Sequence, residues 1–206
     1  HAGTLDPMAT GVRVILIGKY TKSSDLFLKD DKEYDATLSL GATSDTGDAW
    51  GQIEKISNPK MISEDSIRET FDKFVGEIEQ TPPAYSAVKY KGKKLYELAR
   101  KGISVKVAPR KISIKKLEIT KIDMPEVSFT VTCSKGTYIR QLACDIGSLL
   151  GCGAHLSKLC RTRSGRFGIE CAVTIEELKS FNNEDLLRHC ERLRGEAEAG
   201  AKQSHN

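Results

Sequence analysis

One acidic residue in this chain stands where a carboxylate can be put to chemical use. Asp6 lies in the run His1-Ala2-Gly3-Thr4-Leu5-Asp6-Pro7-Met8-Ala9-Thr10-Gly11, and the apolar stretch Val12 to Ile17 follows directly. Gly3, Pro7 and Gly11 break the backbone around it. Three breakers around a short acid describe a tightly shaped loop leading into a buried strand, which can present a carboxylate at a cleft. An Asp before Pro is also a common turn former, so residue chemistry alone leaves both readings standing. A second chemistry is legible downstream. Lys89, Lys91, Lys93, Lys94, Arg100, Lys101, Lys106, Arg110, Lys111, Lys115 and Lys116 crowd one stretch, and Arg161, Arg163 and Arg166 form another cluster. Such runs describe a solvated charged face. With Tyr85, Tyr90 and Tyr96 interleaved, they also suit a surface that tracks phosphates and stacks bases. Asp45 and Asp48 sit in a Gly-rich turn without further ligands and read as turn caps, not as a metal site.

These residues need elements to position them. Val12 to Ile17 has strand length and is apolar but for Arg13, and Tyr34 to Leu40 alternates as a half-buried strand does. Residues 63–75 read as a helix: Ser63 caps it, Ile62 and Ile67 fit a hydrophobic staple, and Ile67, Phe71, Phe74 and Val75 line one face. A helix is predicted over 93–101 before Gly102, then strands over 103–108 and 111–120. Val127, Phe129, Val131 and Cys133 alternate, and Ile139, Leu142, Ala143, Ile146, Leu149 and Leu150 take helical spacing after the Lys135-Gly136 turn. Thr174 to Glu177 is a capping box, and Asn182 or Asn183 caps a last helix through Arg194, followed by a polar tail. Strand pairs with inserted helices and no internal repeat predict an α+β fold with a mixed, mainly antiparallel sheet and flanking helices.

Composition sets outer limits. The 206 residues are 39% hydrophobic and 29% charged, ordinary globular usage that supports one substantial core. A balance of 32 basic to 28 acidic residues gives a net charge of +4, which permits RNA binding without demanding it. The six cysteines form no C-x-x-C pair and no zinc-type spacing, so they read as reduced thiols. No stretch approaches the roughly 20 apolar residues of a membrane helix, and no signal peptide is visible, so a cytoplasmic setting is expected, with an organelle matrix as the alternative.

The sequence resembles the TruB family of pseudouridine synthases. The resemblance rests on Gly3-Thr4-Leu5-Asp6-Pro7-Met8-Ala9-Thr10-Gly11-Val12 and then, in the family's order, on Lys32-Glu33-Tyr34, Gly41 to Thr46 with Asp48 and Gly51, and Gln80 to Lys89. Gly92 to Gly102, Cys133 to Arg140 and Leu159 to Gly165 continue it. It implies a catalytic domain over residues 1–180, leaving 181–206 as a C-terminal helix and polar tail. It implies isomerisation of uridine to pseudouridine at position 55 in the T arm of tRNA, by base flipping and a catalytic Asp. The expected partner is a tRNA T-arm stem-loop, the chain is expected to be a monomer, and no cofactor, metal or membrane is called for.

By the same resemblance Asp6 is the essential carboxylate, Arg161 the arginine that pairs with it, and Tyr34 the aromatic platform for the flipped base. His1, Lys19, Lys89, Lys135, Tyr138 and Arg140 are the implied RNA-binding residues. Relatives carry a further N-terminal segment with a first strand and often a C-terminal PUA domain; neither is present here, so a fragment or an atypical gene product is expected. Two other readings stay open: a non-catalytic tRNA-binding or folding module, and a guide-dependent rRNA pseudouridine synthase of dyskerin type.

Overall fold

Segments with two-residue alternation form the sheet, and segments with three-to-four spacing form the helices that cover one of its faces. The computed structural model describes the backbone of residues 1–203 and the side chains of residues 1–193. Its strands are β1 (Thr10–Gly11), β2 (Lys32–Leu40), β3 (Ala42–Ser44), β4 (Ile53–Lys55), β5 (Gly76–Gln80), β6 (Lys89–Tyr90), β7 (Lys93–Lys94), β8 (Arg110–Asp123), β9 (Glu126–Cys133), β10 (Ala154–Ser164) and β11 (Phe167–Gly168). The α-helices are α1 (Ser24–Leu28), α2 (Glu64–Asp72), α3 (Leu95–Ala99), α4 (Ile139–Leu149), α5 (Ile175–Ser180) and α6 (Asn183–Gln203). The main sheet runs β1-β10-β2-β9-β8-β5, with β11 attached to β10. β1 is parallel to β10 and the other pairs are antiparallel, which is the α+β arrangement the alternation predicts.

The core lies between this sheet and two helices. Ala36, Leu38 and Leu40 on β2 meet Val127, Phe129 and Val131 on β9, with Ile67 and Phe71 of α2 and Leu142, Ala143 and Ile146 of α4 packed over them. Phe71 and Phe129 meet edge to face with ring centroids 5.3 Å apart. Each such side chain removed from water contributes about 1.5–3 kcal/mol, so this layer anchors the sheet from which the site is built. A smaller cluster of Ala2, Val12 and Val14 backs the N-terminal loop, with Phe27 and Phe167 against it.

Four sequence expectations change. Val12 to Ile17 is not a regular strand: past Gly11 it keeps one backbone bond to β10, from the Val12 N–H, and the isolated bridge Ala2 to Val14, and Ile15 and Ile17 are exposed. Residues 103–108 have no ladder partner, because pairing in β8 begins at Arg110 opposite Gln80. α2 is capped at its start by the Ser63 hydroxyl accepting from the Ser66 N–H at 3.2 Å, but it ends at Asp72, and Val75 beyond it is exposed. α6 runs on to Gln203, past the expected stop at Arg194, and Asn182 accepts from the N–H groups of Glu184 and Asp185 at 2.8 and 2.9 Å. The end of the expected polar tail, 204–206, lies outside the described residues.

Candidate active site

The loop that carries Asp6 is fixed by the close approach of β1 to β10. Gly11 stands opposite Arg161 with φ +99°, and a Cβ at Gly11 would lie 2.2 Å from the Arg161 carbonyl oxygen. Only glycine permits that approach. The Val12 N–H donates to the Arg161 carbonyl at 2.8 Å, and Arg161 Nε donates to the Val12 carbonyl at 2.8 Å. Arg161 Nη2 also donates to the Gly3 carbonyl at 3.3 Å. One guanidinium, 1% exposed, thus ties both ends of the loop.

The residue that grips the carboxylate comes from the other side. Tyr138 precedes α4 without a side-chain cap of its own, and Gln80 at the end of β5 takes its place. The Tyr138 N–H donates to Gln80 Oε1 at 2.8 Å, and Gln80 Nε2 donates to the Tyr138 carbonyl at 3.1 Å. This clamp sets the first turn of α4, where Arg140 emerges. Arg140 Nε donates to Asp6 Oδ2 at 2.8 Å and Nη2 to Asp6 Oδ1 at 2.7 Å, the two-point fork that only arginine makes. Nη1 donates to the Thr46 carbonyl at 2.7 Å and Nη2 to the Tyr85 carbonyl at 3.1 Å. Asp48 Oδ2 lies 3.6 Å from Nε. The Arg140 side chain is 4% exposed and that of Asp6 is 27% exposed, so the acid faces the cleft while its partner lies beneath it.

Asp45 and Asp48 are turn caps, as their setting predicts. Asp45 Oδ1 accepts from the Gln52 N–H at 2.7 Å, and Asp48 Oδ1 accepts from the Trp50 N–H at 3.0 Å and the Thr46 hydroxyl at 2.8 Å. Asp48 has the added role of a second carboxylate beside Arg140.

Asp6, Tyr34, Lys135, Tyr138, Arg140 and Arg161 all line one cleft of about 610 Å³, a volume suited to a nucleoside-sized ligand. Tyr34, in register with Arg161 across β2 and β10, is mostly buried, and burial pushes its phenol up to about 12 against the pull of the Arg161 guanidinium. It is a neutral aromatic face at physiological pH. Lys32 lies two residues away on the same wall, buried, with Nζ donating to the Leu28 carbonyl at 3.0 Å and the Phe27 carbonyl at 3.3 Å. Burial lowers its pKa.

The pairing expected of Arg161 is therefore made by Arg140. Arg161 spends its donors on the Val12 and Gly3 carbonyls and on Tyr34, so it braces the loop's backbone while Arg140 holds its acid. Arg140, expected among the RNA-binding residues as a phosphate contact or a pocket wall, lines the cleft with its donors engaged by Asp6 and by the Thr46 and Tyr85 carbonyls. His1, Lys19 and Lys89 are exposed and do not line the cleft; Lys19 Nζ lies 5.8 Å over the Tyr20 ring. Sequence reasoning missed Gln80 and the Tyr85 carbonyl, which act through backbone geometry that spacing does not encode. It also missed Trp50 at the cleft's rim.

With this geometry in view, the chain's likeness to known proteins is specific. Residues 1–139 match the TruB family pseudouridylate synthase N-terminal domain, and residues 140–192 match the tRNA pseudouridylate synthase B C-terminal domain. The tRNA pseudouridine synthase B of Protochlamydia amoebophila is 51% identical, covering 92% of this chain and 72% of its own. That of Clostridium tetani is 46% identical over 91% of this chain and 65% of its own, and that of Aromatoleum aromaticum 48% over 91% and 60%. The chain thus spans about two thirds of the length of these curated relatives. Among solved structures, a Cbf5-Nop10-Gar1 complex aligns with TM-score 0.65 and 34% identity over 86% of this chain and 44% of that one. An H/ACA RNP bound to a substrate RNA containing 2'-deoxyuridine aligns with TM-score 0.62 and 27% identity over 90% and 47%. Among the described residues no helix is long and apolar enough to cross a membrane. Matched by the family's own domains along most of its length and half identical to several members, the chain belongs to the TruB family of pseudouridylate synthases.

Proposed function

We propose that this chain isomerises uridine to pseudouridine at position 55 in the T arm of tRNA, with Asp6 as the catalytic carboxylate. The observation that carries the reading is the Asp6 carboxylate held at two points by Arg140 and open to a nucleoside-sized cleft. The reaction breaks the N1 to C1′ bond of uridine, turns the freed uracil and joins C5 to C1′, moving the C5 proton off and leaving one on N1. It needs neither a redox partner nor a second substrate. A single aimed carboxylate suffices, either by attacking the ribose C1′ or by taking a proton from C2′. Both routes begin at the same oxygen, and Arg140 fixes where that oxygen points.

A T-loop uridine must leave its stack to reach Asp6, and Tyr34 gives the flipped base an aromatic face beside the acid. Lys135 and Tyr138, at the turn into α4, face the same cleft and suit the nucleotide's polar groups. His1, Lys19 and Lys89, exposed outside the cleft, suit the phosphates of the arm, with the monomeric catalytic domain spanning 1–180 and acting on tRNA in the cytoplasm. Identities of 45–51% to tRNA pseudouridine synthases B, against 27–31% to chains of H/ACA assemblies, favour tRNA over a guide-directed substrate. The test is tritium release from a T-arm stem-loop labelled at uridine C5, with the unaltered chain and Asp6→Asn side by side. Release by the unaltered chain alone, with RNA bound by both, is expected. Equal release by Asp6→Asn would sink the assignment, and RNA binding without release by either would make the chain a binding module.

A further inference from the structure

We infer that Trp50 is a stacking platform for a nucleobase flanking the target uridine, an inference that rests on the RNA reading above and adds a recognition residue to it. Trp50 is 71% exposed, and its side chain stands on the ridge between the cleft that holds Asp6 and a second groove of about 620 Å³. That groove is lined by Thr37, Ser128 and Ser157 of the sheet together with Ala36, Phe129 and Leu159. An indole on a ridge between two grooves contributes nothing to the core and offers one of the largest flat apolar faces available to a ligand.

The backbone beneath the ring is held on every side. The Trp50 N–H donates to Asp48 Oδ1 at 3.0 Å, the Ala49 N–H to the Leu156 carbonyl at 2.9 Å, and the Gly51 N–H to the Asp48 carbonyl at 3.3 Å. A Cβ at Gly51 would lie 2.2 Å from Asp45 Oδ1 and 2.3 Å from the Ser44 hydroxyl, so a side chain there would push aside the polar groups that close the turn next to the tryptophan. A rigid base with a free ring is preorganised: little chain entropy is lost when a partner settles on it. Local charge selects what that partner is. Asp45, exposed in the same turn, disfavours a phosphate, whereas the π-face of a base is neutral and stacks on indole whatever its sequence. A strand whose target uridine enters the cleft over Asp6 carries its neighbouring base across this ridge.

Trp50 is the only tryptophan in the sequence, so intrinsic fluorescence reads this one ring. Titration with a T-arm stem-loop RNA is expected to quench that emission, with the midpoint that filter binding gives. Trp50→Ala should bind the RNA about thirtyfold more weakly, the middle of what one lost base–aromatic stack costs. Trp50→Phe should stay within about threefold of the parent because it keeps a ring, and the melting temperature of both variants should match the parent's because the ring is exposed. Binding and turnover by the parent with unchanged fluorescence, or equal affinity in Trp50→Ala, would overturn the platform and leave the assignment of Asp6 intact. Absence of both binding and turnover in the parent would overturn the inference together with the function beneath it.

Discussion

Arg140 and Arg161 are both buried and both near the loop of Asp6, yet only Arg140 should be energetically coupled to the acid. Two double-mutant cycles test this: Asp6→Asn with Arg140→Met, and Asp6→Asn with Arg161→Met. The Asp6–Arg140 contact consists of two charge-assisted hydrogen bonds at 2.8 and 2.7 Å. Each is worth about 1.5–3 kcal/mol when desolvated. The carboxylate is 27% exposed, so water repays part of that, and a coupling energy of about 1.5–3 kcal/mol for the whole pair is expected. Arg161 has no hydrogen bond to Asp6, so its coupling should fall below about 0.5 kcal/mol. The single variants differ as well. Arg140→Met strands Asp6, the nearly buried Asp48 and the carbonyls of Thr46 and Tyr85, and should cost about 3–5 kcal/mol, well above Asp6→Asn. Urea unfolding at neutral pH, followed by far-ultraviolet circular dichroism, supplies all the free energies. A coupling of Asp6 to Arg161 as large as that to Arg140 would refute the division of labour between the two arginines.

Alkaline pH should act through Tyr34: its neutral phenol is held at about 12 in the fold by burial, against about 10 in the unfolded chain, so the stability it contributes is intact below pH 10 and drains between pH 10 and 12. The loss is about 1.4 kcal/mol per pH unit, about 2.7 kcal/mol in all, and Tyr34→Phe should flatten that part of the curve; an unchanged slope would count against it. Cys133, also pushed up to about 12 by burial, leaves a residual slope in the variant. Gln80→Leu keeps the volume but removes both hydrogen bonds to Tyr138, and should cost about 2–4 kcal/mol of stability. Because the same clamp sets the first turn of α4, kcat for tritium release should fall at least tenfold with RNA affinity retained, and a destabilised variant with full kcat would show that Gln80 is structural only.

The sheet's interior is legible in the sequence because each strand there has one buried face, which forces alternation: Tyr34, Ala36, Leu38 and Leu40 on β2, and Val127, Phe129, Val131 and Cys133 on β9. At the edge that logic fails. Val12 to Ile17 is apolar but for Arg13, yet its even members turn into the small cluster behind the loop while Arg13, Ile15 and Ile17 remain exposed. Apolarity reports that a segment seeks cover, and only a ladder partner makes it a strand. Residues 103–108 lack such a partner for the same reason.

The site shows a subtler limit. Motif spacing brings Asp6, Arg140 and Arg161 into one neighbourhood, but which arginine takes the carboxylate depends on the side from which each enters. Register sets Arg161 opposite both Gly11 and Tyr34, directly beneath the loop, where the Val12 and Gly3 carbonyls turn away from any ladder and need a donor. A buried carbonyl left unbonded costs about 1–3 kcal/mol, so the guanidinium lying under the loop is committed to its backbone. The charge that steadies Asp6 then has to arrive from across the cleft, on an element whose start is itself pinned, and Arg140 on the first turn of α4 meets that condition through Gln80. One cation locks where the loop runs and another locks where its acid points. For the carboxylate to drift from its position over the cleft, both would have to yield together.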